Sequence, residues 1–359
     1  MKASAPLGLD MNLSEALDAA IASNPRSTAL VCGDHRDSLG RIRAGAELVA
    51  GALEARGVGP GDRVAVLAPN GAGFVQTLFG ICRLGAVAVL VDVRSTPDEL
   101  GESVSAAGAT AVVVDDAERV AASAELVGRD RTLVAGEADD SVPGDARPRS
   151  GDLAVVFATS GTTGRPKLVG HTHRTVMAST LALHRLHAGF FDGTAGERAR
   201  RVTTVLRRHG RRALRARGRQ VWMTPIAFSS VSGLQVMLGG LLRGHRLVTM
   251  PSFHPRVALE LVQRERVNIL AATPSMAELM LAVRTAESFD PSSMLIVGLG
   301  GGPVSPELAH RVRERFRCGV GIGYGSTELG GGVLVSRLED PVEVQTGTVG
   351  RPFPGAQVD

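Results

Sequence analysis

Lys167 is one of two lysines among the 40 lysine and arginine residues of this chain, and it closes a loop of small residues. The loop consists of Thr159, Ser160, Gly161, Thr162, Thr163, Gly164, Arg165, Pro166 and Lys167. Its glycines allow backbone N–H groups to approach an anion closely, and its hydroxyls add further donors. A lysine ammonium is a compact charge that suits phosphate oxygens. The loop is therefore predicted to bind phosphate.

The residues on both sides of this loop favour a nucleotide site over an ordinary surface turn. An apolar run of strand length, residues 153–158, precedes the loop, and apolar spacing from Thr172 to Leu183 predicts a helix after it. A strand, a glycine-rich loop and a helix commonly present nucleotide phosphates in α/β proteins. The spacing differs from the G-x-x-x-x-G-K-[ST] pattern. A plain turn of Gly, Ser, Thr and Pro is the alternative.

A second segment has the composition of a nucleotide-binding turn, and it reads Gly323, Tyr324, Gly325, Ser326, Thr327, Glu328. Tyr324 is the only tyrosine of the chain, and its ring can stack on a purine between two glycines. Thr327 offers a hydroxyl to a phosphate, and Glu328 offers a carboxylate to Mg²⁺, which usually takes carboxylates together with substrate phosphates. A strand-end tyrosine followed by a polar turn would explain the same residues.

These motifs resemble those of the adenylate-forming superfamily, most closely the acyl-CoA synthetases. Residues 159–167 are similar to its phosphate loop and residues 323–328 to its second nucleotide motif. Residues 57–66 and 84–89 are also similar to family members. The family segment that lies along the adenine is matched by Gly300, Gly301, Gly302 and Pro303. The motifs cover most of the chain in the family order.

The resemblance implies an α/β fold of layered, parallel-rich sheets flanked by helices. Short β-branched runs that alternate with helical stretches indicate the same fold class from the residues alone. A break rich in Asp, Pro, Gly and Arg occupies residues 136–151. It predicts a first α/β subdomain over residues 1–140 and a second over residues 151–359 that carries the motifs.

The resemblance also implies ATP- and Mg²⁺-dependent adenylation of a carboxylic acid, with release of pyrophosphate. Lys167, Thr327 and Glu328 would be the catalytic residues, with Glu328 holding the metal. The other ATP-binding positions would be Thr159, Ser160, Gly161, Thr162, Thr163, Gly164, Gly300, Gly301, Gly302, Pro303, Tyr324, Gly325 and Ser326. In many relatives the thiol of coenzyme A (CoA) or of an acyl carrier protein then accepts the acyl group. The sequence does not indicate which of these acceptors this chain uses.

Phe228 and Ser229 indicate the class of acid. Amino-acid-activating relatives carry a Phe-Asp pair here, whereas this chain has no carboxylate to hold a substrate ammonium. An unpaired ammonium in an apolar pocket is costly, so a fatty or other non-amino acid is predicted. The predicted pocket also contains Val297, Leu299, Leu329 and Gly330. A core position for Phe228 is an equal alternative.

The chain ends at Asp359, before the position at which relatives carry a ribose-binding aspartate and a small C-terminal domain with a catalytic lysine. The resemblance therefore implies that these residues include no C-terminal lid domain. Two alternatives to an active ligase stay open. One is a non-catalytic binder of nucleotide or acyl-adenylate, and the other is half of a split ligase with its C-terminal domain on a separate chain.

Ten arginines lie between Arg198 and Arg219 without one Asp or Glu, in a segment, residues 192–220, where relatives have a short connection. The whole chain has a net charge of only +4, so the excess positive charge is concentrated in this run. Such a run can attract nucleic acid, CoA phosphates or an acidic carrier protein. It contains no aromatic residue to stack on bases, which disfavours nucleic acid. A solvated insertion is the prediction.

The remaining features are typical of a soluble cytoplasmic enzyme. The chain is 44% hydrophobic, enough for a large core, and has no apolar run of membrane-spanning length. Its cysteines, Cys32, Cys82 and Cys318, form no C-x-x-C pair, which fits a reducing compartment. His171 and His173 have a spacing that can hold a metal on a strand, but no third ligand stands nearby in the sequence.

Overall fold

A computed structural model describes residues 7–23, 25–135, 144, 146, 148–159, 166–188, 194–209, 218–285, 288–337, 339–353 and 355–357. The chain forms two compact units. The first is Met1–Ala178 with Ala227–Leu234, and the second is Ser179–Ile226 with Gln235–Asp359. The break at residues 136–151 falls within the first unit, so these units differ from the predicted subdomains, and that division stays a prediction.

The first unit contains a parallel sheet with one antiparallel edge strand. Its strand order is β6-β5-β3-β4-β7-β8, and only the β7–β8 pair is antiparallel. The elements are α1 (Leu13–Ser23), β1 (Thr28–Cys32), β2 (His35–Ser38), α2 (Leu39–Glu54), β3 (Arg63–Leu67), α3 (Ala72–Arg83), β4 (Val87–Leu90), α4 (Pro97–Ala107), β5 (Ala111–Val114), α5 (Ala117–Val127), a 3₁₀ turn (Arg129–Arg131), β6 (Thr132–Val134), β7 (Leu153–Thr159), β8 (Lys167–Thr172) and the start of α6 (His173–Ala188). From Ser179 onward α6 belongs to the second unit.

The strands of this sheet form where the sequence has continuous apolar runs. Every residue of β4 and β5 is buried, as expected for parallel strands covered on both faces. The helix α4 begins with a capping box, in which the Thr96 hydroxyl accepts from Glu99 N–H at 3.3 Å and the Glu99 carboxylate accepts from Thr96 N–H at 2.8 Å. Gly108 ends the helix in a left-handed conformation.

The second unit has the strand order β15-β14-β13-β12-β11-β9-β10. Its strands from β10 to β13 are parallel, and β14 and β15 are antiparallel additions. The elements are α7 (Ala195–His209), β9 (Val221–Met223), α8 (Val231–Leu242), β10 (Arg246–Thr249), α9 (Pro255–Arg264), β11 (Ile269–Ala272), α10 (Pro274–Leu281), β12 (Ile296–Leu299), α11 (Pro306–Phe316), β13 (Gly319–Ser326), β14 (Gly331–Val335), α12 (Val342–Gly347) and β15 (Arg351–Pro352). The helix α8 belongs to this unit from Gln235 onward.

Helices α10 and α11 show why these segments start where they do. Thr273 and Ser305 each accept a hydrogen bond from a backbone N–H three residues later, and a proline follows each cap at the first helical position. Proline suits that position because its missing N–H would have no partner there. The layered, parallel-rich α/β fold predicted from the sequence is confirmed.

The arginine-rich segment begins as a helix. Thr194 and Glu197 form a capping box at the start of α7, with the Glu197 carboxylate accepting from Thr194 N–H at 2.8 Å. Val205 is buried while Arg198 and Arg200 are exposed, so α7 has one apolar and one cationic side. Residues 210–217 of the segment lie outside the described part of the chain. Among the described helices, none is both long and apolar enough to cross a membrane.

His173 is a buried titratable residue at the start of α6. Its Nδ1 accepts a hydrogen bond from Leu13 N–H at 3.3 Å, and its own backbone N–H donates to the Asp152 carbonyl at 3.1 Å. Burial lowers the pKa of His173 to about 4, against the opposing effects of Asp152 and Glu15. The folded first unit therefore requires a neutral imidazole, which links its stability to pH.

Lowering the pH from 6.5 to 4 should destabilise the protein, because the unfolded chain then binds a proton at His173 that the folded chain excludes. This linkage contributes at most about 1.4 kcal/mol per pH unit. His173→Asn keeps an acceptor for Leu13 N–H but cannot titrate, so its stability should depend less on pH in this range. Urea denaturation at several pH values measures the difference. A smaller pH dependence in the His173→Asn variant than in the wild-type protein supports this linkage, and equal dependence would contradict it.

Candidate functional site

The predicted phosphate loop connects two antiparallel strands. Thr159, the last residue of β7, pairs with Lys167, the first residue of β8, so the loop joins the two strands of a hairpin. Lys167 is exposed. Residues 160–165, namely Ser160, Gly161, Thr162, Thr163, Gly164 and Arg165, lie outside the described residues. The loop leaves the carboxyl end of β7, which runs parallel to β4, and ligands of α/β sheets bind at that end.

The helix predicted from Thr172 onward is present as α6, but the sequence did not predict the strand β8 that lies between the loop and this helix. Residues Lys167–Thr172 form an edge strand. Most of its residues are more exposed than those of β7. The helix α6 begins at His173. An uncovered edge of β7 would leave a row of unpaired backbone groups, and β8 pairs with them. The sequence carried little signal for this strand, because its apolar content is low.

The predicted adenine segment and the second motif lie side by side in the second unit. Gly300 follows β12, and a Cβ added to it would lie 3.3 Å from the Gly323 carbonyl oxygen of the parallel neighbour β13. Gly301 has φ +78°, a conformation that favours glycine. Gly302, Pro303 and the Tyr324 ring are exposed near this end of the sheet. The structure thus brings together two of the sequence-predicted segments.

Thr327 and Glu328 belong to a four-residue turn between β13 and β14. Ser326 pairs with Gly331, and Gly330 N–H donates to the Thr327 carbonyl at 3.1 Å. Glu328 is exposed on this turn. Because β13 is parallel to β12, Tyr324 and the turn follow the carboxyl edge of the sheet, the usual place for ligands in α/β proteins.

Glycines allow this turn to be tight. A Cβ on Gly325 would overlap the Gly331 carbonyl and lie 2.6 Å from the Gly332 Cα across the ladder. Gly331 has φ +123°, and a Cβ there would lie 2.7 Å from the Gln235 Oε1. A side chain at Gly325 would force the two strands apart, and one at Gly331 would collide with the Gln235 amide, so the position of Glu328 depends on glycine at both.

The residues predicted to line an acid pocket are divided between the units. Phe228 is fully buried in the first unit. Its ring packs edge to face on Phe74, with 5.7 Å between the ring centroids, and its N–H donates to the Asn70 side chain at 2.7 Å. The neighbouring Ser229 is partly exposed. The second unit contains the other four: Val297 and Leu299 are buried on β12, and Leu329 and Gly330 belong to the exposed turn. The pocket itself stays a prediction.

A metal ion would find few protein ligands here. In the part of the chain that the structure describes, no group of three or more His, Cys, Asp and Glu residues is arranged to hold one. The centroids of the His171 and Phe157 rings are 5.8 Å apart, and His173 accepts a hydrogen bond from Leu13 N–H. A single exposed carboxylate, Glu328, fits Mg²⁺, because that ion is usually bound by one or two carboxylates plus substrate phosphates.

Sequence reasoning missed two residues that contact the turn. Ser179 on α6 and Gln235 on α8 make hydrogen bonds to the backbone of Gly330 and Gly332. Neither residue belongs to a recognisable motif. A buried polar residue on an apolar helix, as Gln235 is on α8, was the only available signal.

Comparison with known proteins identifies the family. Residues 17–359 match the model of the AMP-binding enzymes, and the chain belongs to that family. Feruloyl-CoA synthase from an Amycolatopsis species is 32% identical over 316 residues, which are 87% of this chain and 58% of that protein. Long-chain-fatty-acid–CoA ligase FadD13 of Mycobacterium tuberculosis is 29% identical over 91% of this chain and 62% of that protein. The chain therefore spans about three fifths of these relatives.

Solved structures agree with this assignment. The N-terminal domain of FACL13 from Mycobacterium tuberculosis superposes with a TM-score of 0.78 at 25% identity, covering 95% of this chain and 82% of that one. The anthranilate CoA ligase AuaEII has a TM-score of 0.80 at 20% identity, covering 97% and 65%, which shows the shared fold. The superfamily predicted from the motifs is confirmed.

Gly325→Ala should destabilise the protein by about 1–3 kcal/mol, because its Cβ would force β13 and β14 apart. Gly347→Ala is the matched control, since a Cβ on Gly347 in the same unit meets no atom within 4 Å. Its effect should stay within about 0.5 kcal/mol. Urea denaturation of both variants gives the comparison, and equal losses would contradict the close approach at Gly325.

Proposed function

We propose that this chain binds Mg²⁺·ATP and activates a carboxylic acid as an acyl-adenylate. The observation that carries the proposal is the tight turn after β13, which places Thr327 and Glu328 beside the exposed Tyr324 at the carboxyl edge of a parallel sheet. Membership of the AMP-binding enzyme family supports it. The chemistry is transfer of the ATP α-phosphoryl group to a carboxylate oxygen, with pyrophosphate leaving.

Each unit contributes groups for this reaction. In the first unit, backbone N–H groups of the loop from Thr159 to Lys167 and the Lys167 ammonium would donate hydrogen bonds to phosphate oxygens. In the second, the Tyr324 ring would stack on the adenine beside residues 300–303, and Thr327 would donate its hydroxyl to the α-phosphate. Mg²⁺ held by Glu328 would supply positive charge to the phosphates. Such reactions depend mainly on positioning and charge stabilisation.

A non-amino acid is the proposed substrate class. Phe228 is followed by Ser229, so this segment has no carboxylate to pair with a substrate ammonium. Matched relatives include feruloyl-CoA synthase, 2,3-dihydroxybenzoate-AMP ligase and a long-chain-fatty-acid–CoA ligase, whose names point to aryl and fatty acids. We propose an apolar acid of one of these classes.

The thiol of CoA or of a carrier protein would accept the acyl group in a second step. Relatives of both kinds match the chain, among them the CoA ligases and the salicyl-AMP ligase / salicyl-S-ArCP synthetase of Mycobacterium tuberculosis.

Carboxylate-dependent ATP–pyrophosphate exchange with fatty, aryl, amino and small acids tests this function. Exchange with an apolar, non-amino acid supports the proposal. Exchange with amino acids alone would overturn the substrate class. Binding of Mg²⁺·ATP without exchange for any acid would favour a non-catalytic binder or a requirement for a further domain, and absence of ATP binding would refute the proposal.

Lys167→Ala should weaken Mg²⁺·ATP binding about tenfold or more, because one charge-assisted interaction with phosphate is removed. Lys167→Arg should bind with intermediate affinity, since it keeps the charge with a different geometry. Isothermal titration calorimetry measures both. Arg41→Ala, which removes an exposed cation from α2 of the same unit, is the control. Equal affinities for the Lys167→Ala and Arg41→Ala variants would remove Lys167 from the site.

Glu328→Gln should raise the Mg²⁺ concentration needed for half-maximal ATP binding, because an amide preserves the shape of the side chain and loses its charge. ATP titrations at a series of free Mg²⁺ concentrations show the shift. Glu343→Gln, an exposed carboxylate in the first turn of α12, should leave the metal dependence unchanged. If Glu328→Gln behaves the same way, Glu328 is not the metal ligand.

A further inference from the structure

The side-chain amide of Gln235 makes the two hydrogen bonds to the Gly332 backbone that a neighbouring β-strand would otherwise make. It lies on α8 and is 7% exposed. Its Oε1 accepts a hydrogen bond from Gly332 N–H at 3.0 Å, and its Nε2 donates to the Gly332 carbonyl at 3.3 Å. The same Nε2 donates to the Ser179 carbonyl on α6 at 3.2 Å. One amide thus serves both backbone groups of Gly332 and connects β14 to two helices.

Ser179 makes the companion contact. Its hydroxyl donates to the Gly330 carbonyl at 2.6 Å. Gly330 is the last residue of the turn that carries Thr327 and Glu328, and Gly332 lies just beyond it. The two side chains therefore hold the chain at the end of this turn at two points, two residues apart.

The fit around Gln235 leaves the backbone little freedom. A Cβ on Gly331 would lie 2.7 Å from the Gln235 Oε1, and one on Gly332 would lie 3.4 Å from it. The amide is therefore in close contact with the glycine backbone. A movement of residues 330–332 would break the hydrogen bonds of the buried Gln235 amide, and an unpaired buried polar group is costly.

Gln345 shows what a purely structural glutamine does in the same unit. It is fully buried, its Oε1 accepts from Val320 N–H at 3.4 Å, and its Nε2 donates to the Asp340 carbonyl at 2.8 Å. Val320 lies near the start of β13, at the opposite end from Tyr324 and the turn. Gln345 therefore has bonds like those of Gln235, and these two bonds lie away from the turn.

We propose that Gln235 and Ser179 are positioning residues that hold the Thr327–Gly330 turn in the geometry in which Thr327 and Glu328 bind the nucleotide phosphates and Mg²⁺. The role of the turn rests on the proposed function, whereas the attachment of the turn by these two side chains does not. Mutation of a group that orients a metal ligand typically lowers metal affinity by about 10- to 100-fold. Both residues act through the backbone and contact no reacting atom.

The test compares Gln235→Leu with Gln345→Leu, and adds Ser179→Ala as a milder change. Hydrogen–deuterium exchange of the amides of residues 327–332 reports the attachment without any ligand. Titration of Mg²⁺ in the presence of ATP reports the positioning of Glu328. Urea denaturation of each variant gives the general loss of stability, which both glutamine variants share.

The Gln235→Leu variant should exchange the amides of residues 327–332 faster than the Gln345→Leu variant and require about tenfold more Mg²⁺ for half-maximal ATP binding. Ser179→Ala should change both quantities in the same direction by a smaller factor. Equal exchange in the two glutamine variants would refute the attachment. Faster exchange with an unchanged Mg²⁺ requirement would refute the positioning role, and wild-type protein that fails to bind ATP would refute the proposed function and, with it, that role.

Discussion

The close approach of β13 and β14 at Gly325 is the contact on which the nucleotide motif of the second unit depends. A side chain there would overlap the Gly331 carbonyl, so only glycine permits the pairing of Ser326 with Gly331 and the four-residue turn that follows. Tyr324, Thr327 and Glu328 take their positions from this pairing. The parallel order of β12 and β13 then brings residues 300–303 to the same edge of the sheet.

In the first unit, the pairing of β7 with β8 positions Lys167. The loop from Thr159 to Lys167 is closed by an antiparallel pair at the end of a parallel sheet, so its ends are held by the backbone register of β7 and β8. A hairpin fixes the separation of its two ends more firmly than a strand followed by a free helix would. The lysine and the carboxylate of the proposed reaction are thus each placed by strand pairing within their own unit.

The sequence predicted those features that local chemistry encodes. Continuous apolar runs of the sequence coincide with β3 and β5, and Thr273-Pro274 and Ser305-Pro306 stand where α10 and α11 start. The strand β8 was missed because its apolar content is low and it forms through pairing with β7. The helix α7 in the arginine-rich segment begins at a capping box at Thr194 and buries Val205.

The sequence by itself determined the family and the fold class, and it located the motifs proposed to bind nucleotide, because these depend on residue types and spacing within short segments. Only the tertiary structure decided that Phe228 packs against Phe74 and that the amide of Gln235 holds Gly332, a residue 97 positions away. No local pattern specifies such contacts, since they arise when separate helices and strands meet and a buried polar side chain must find partners there.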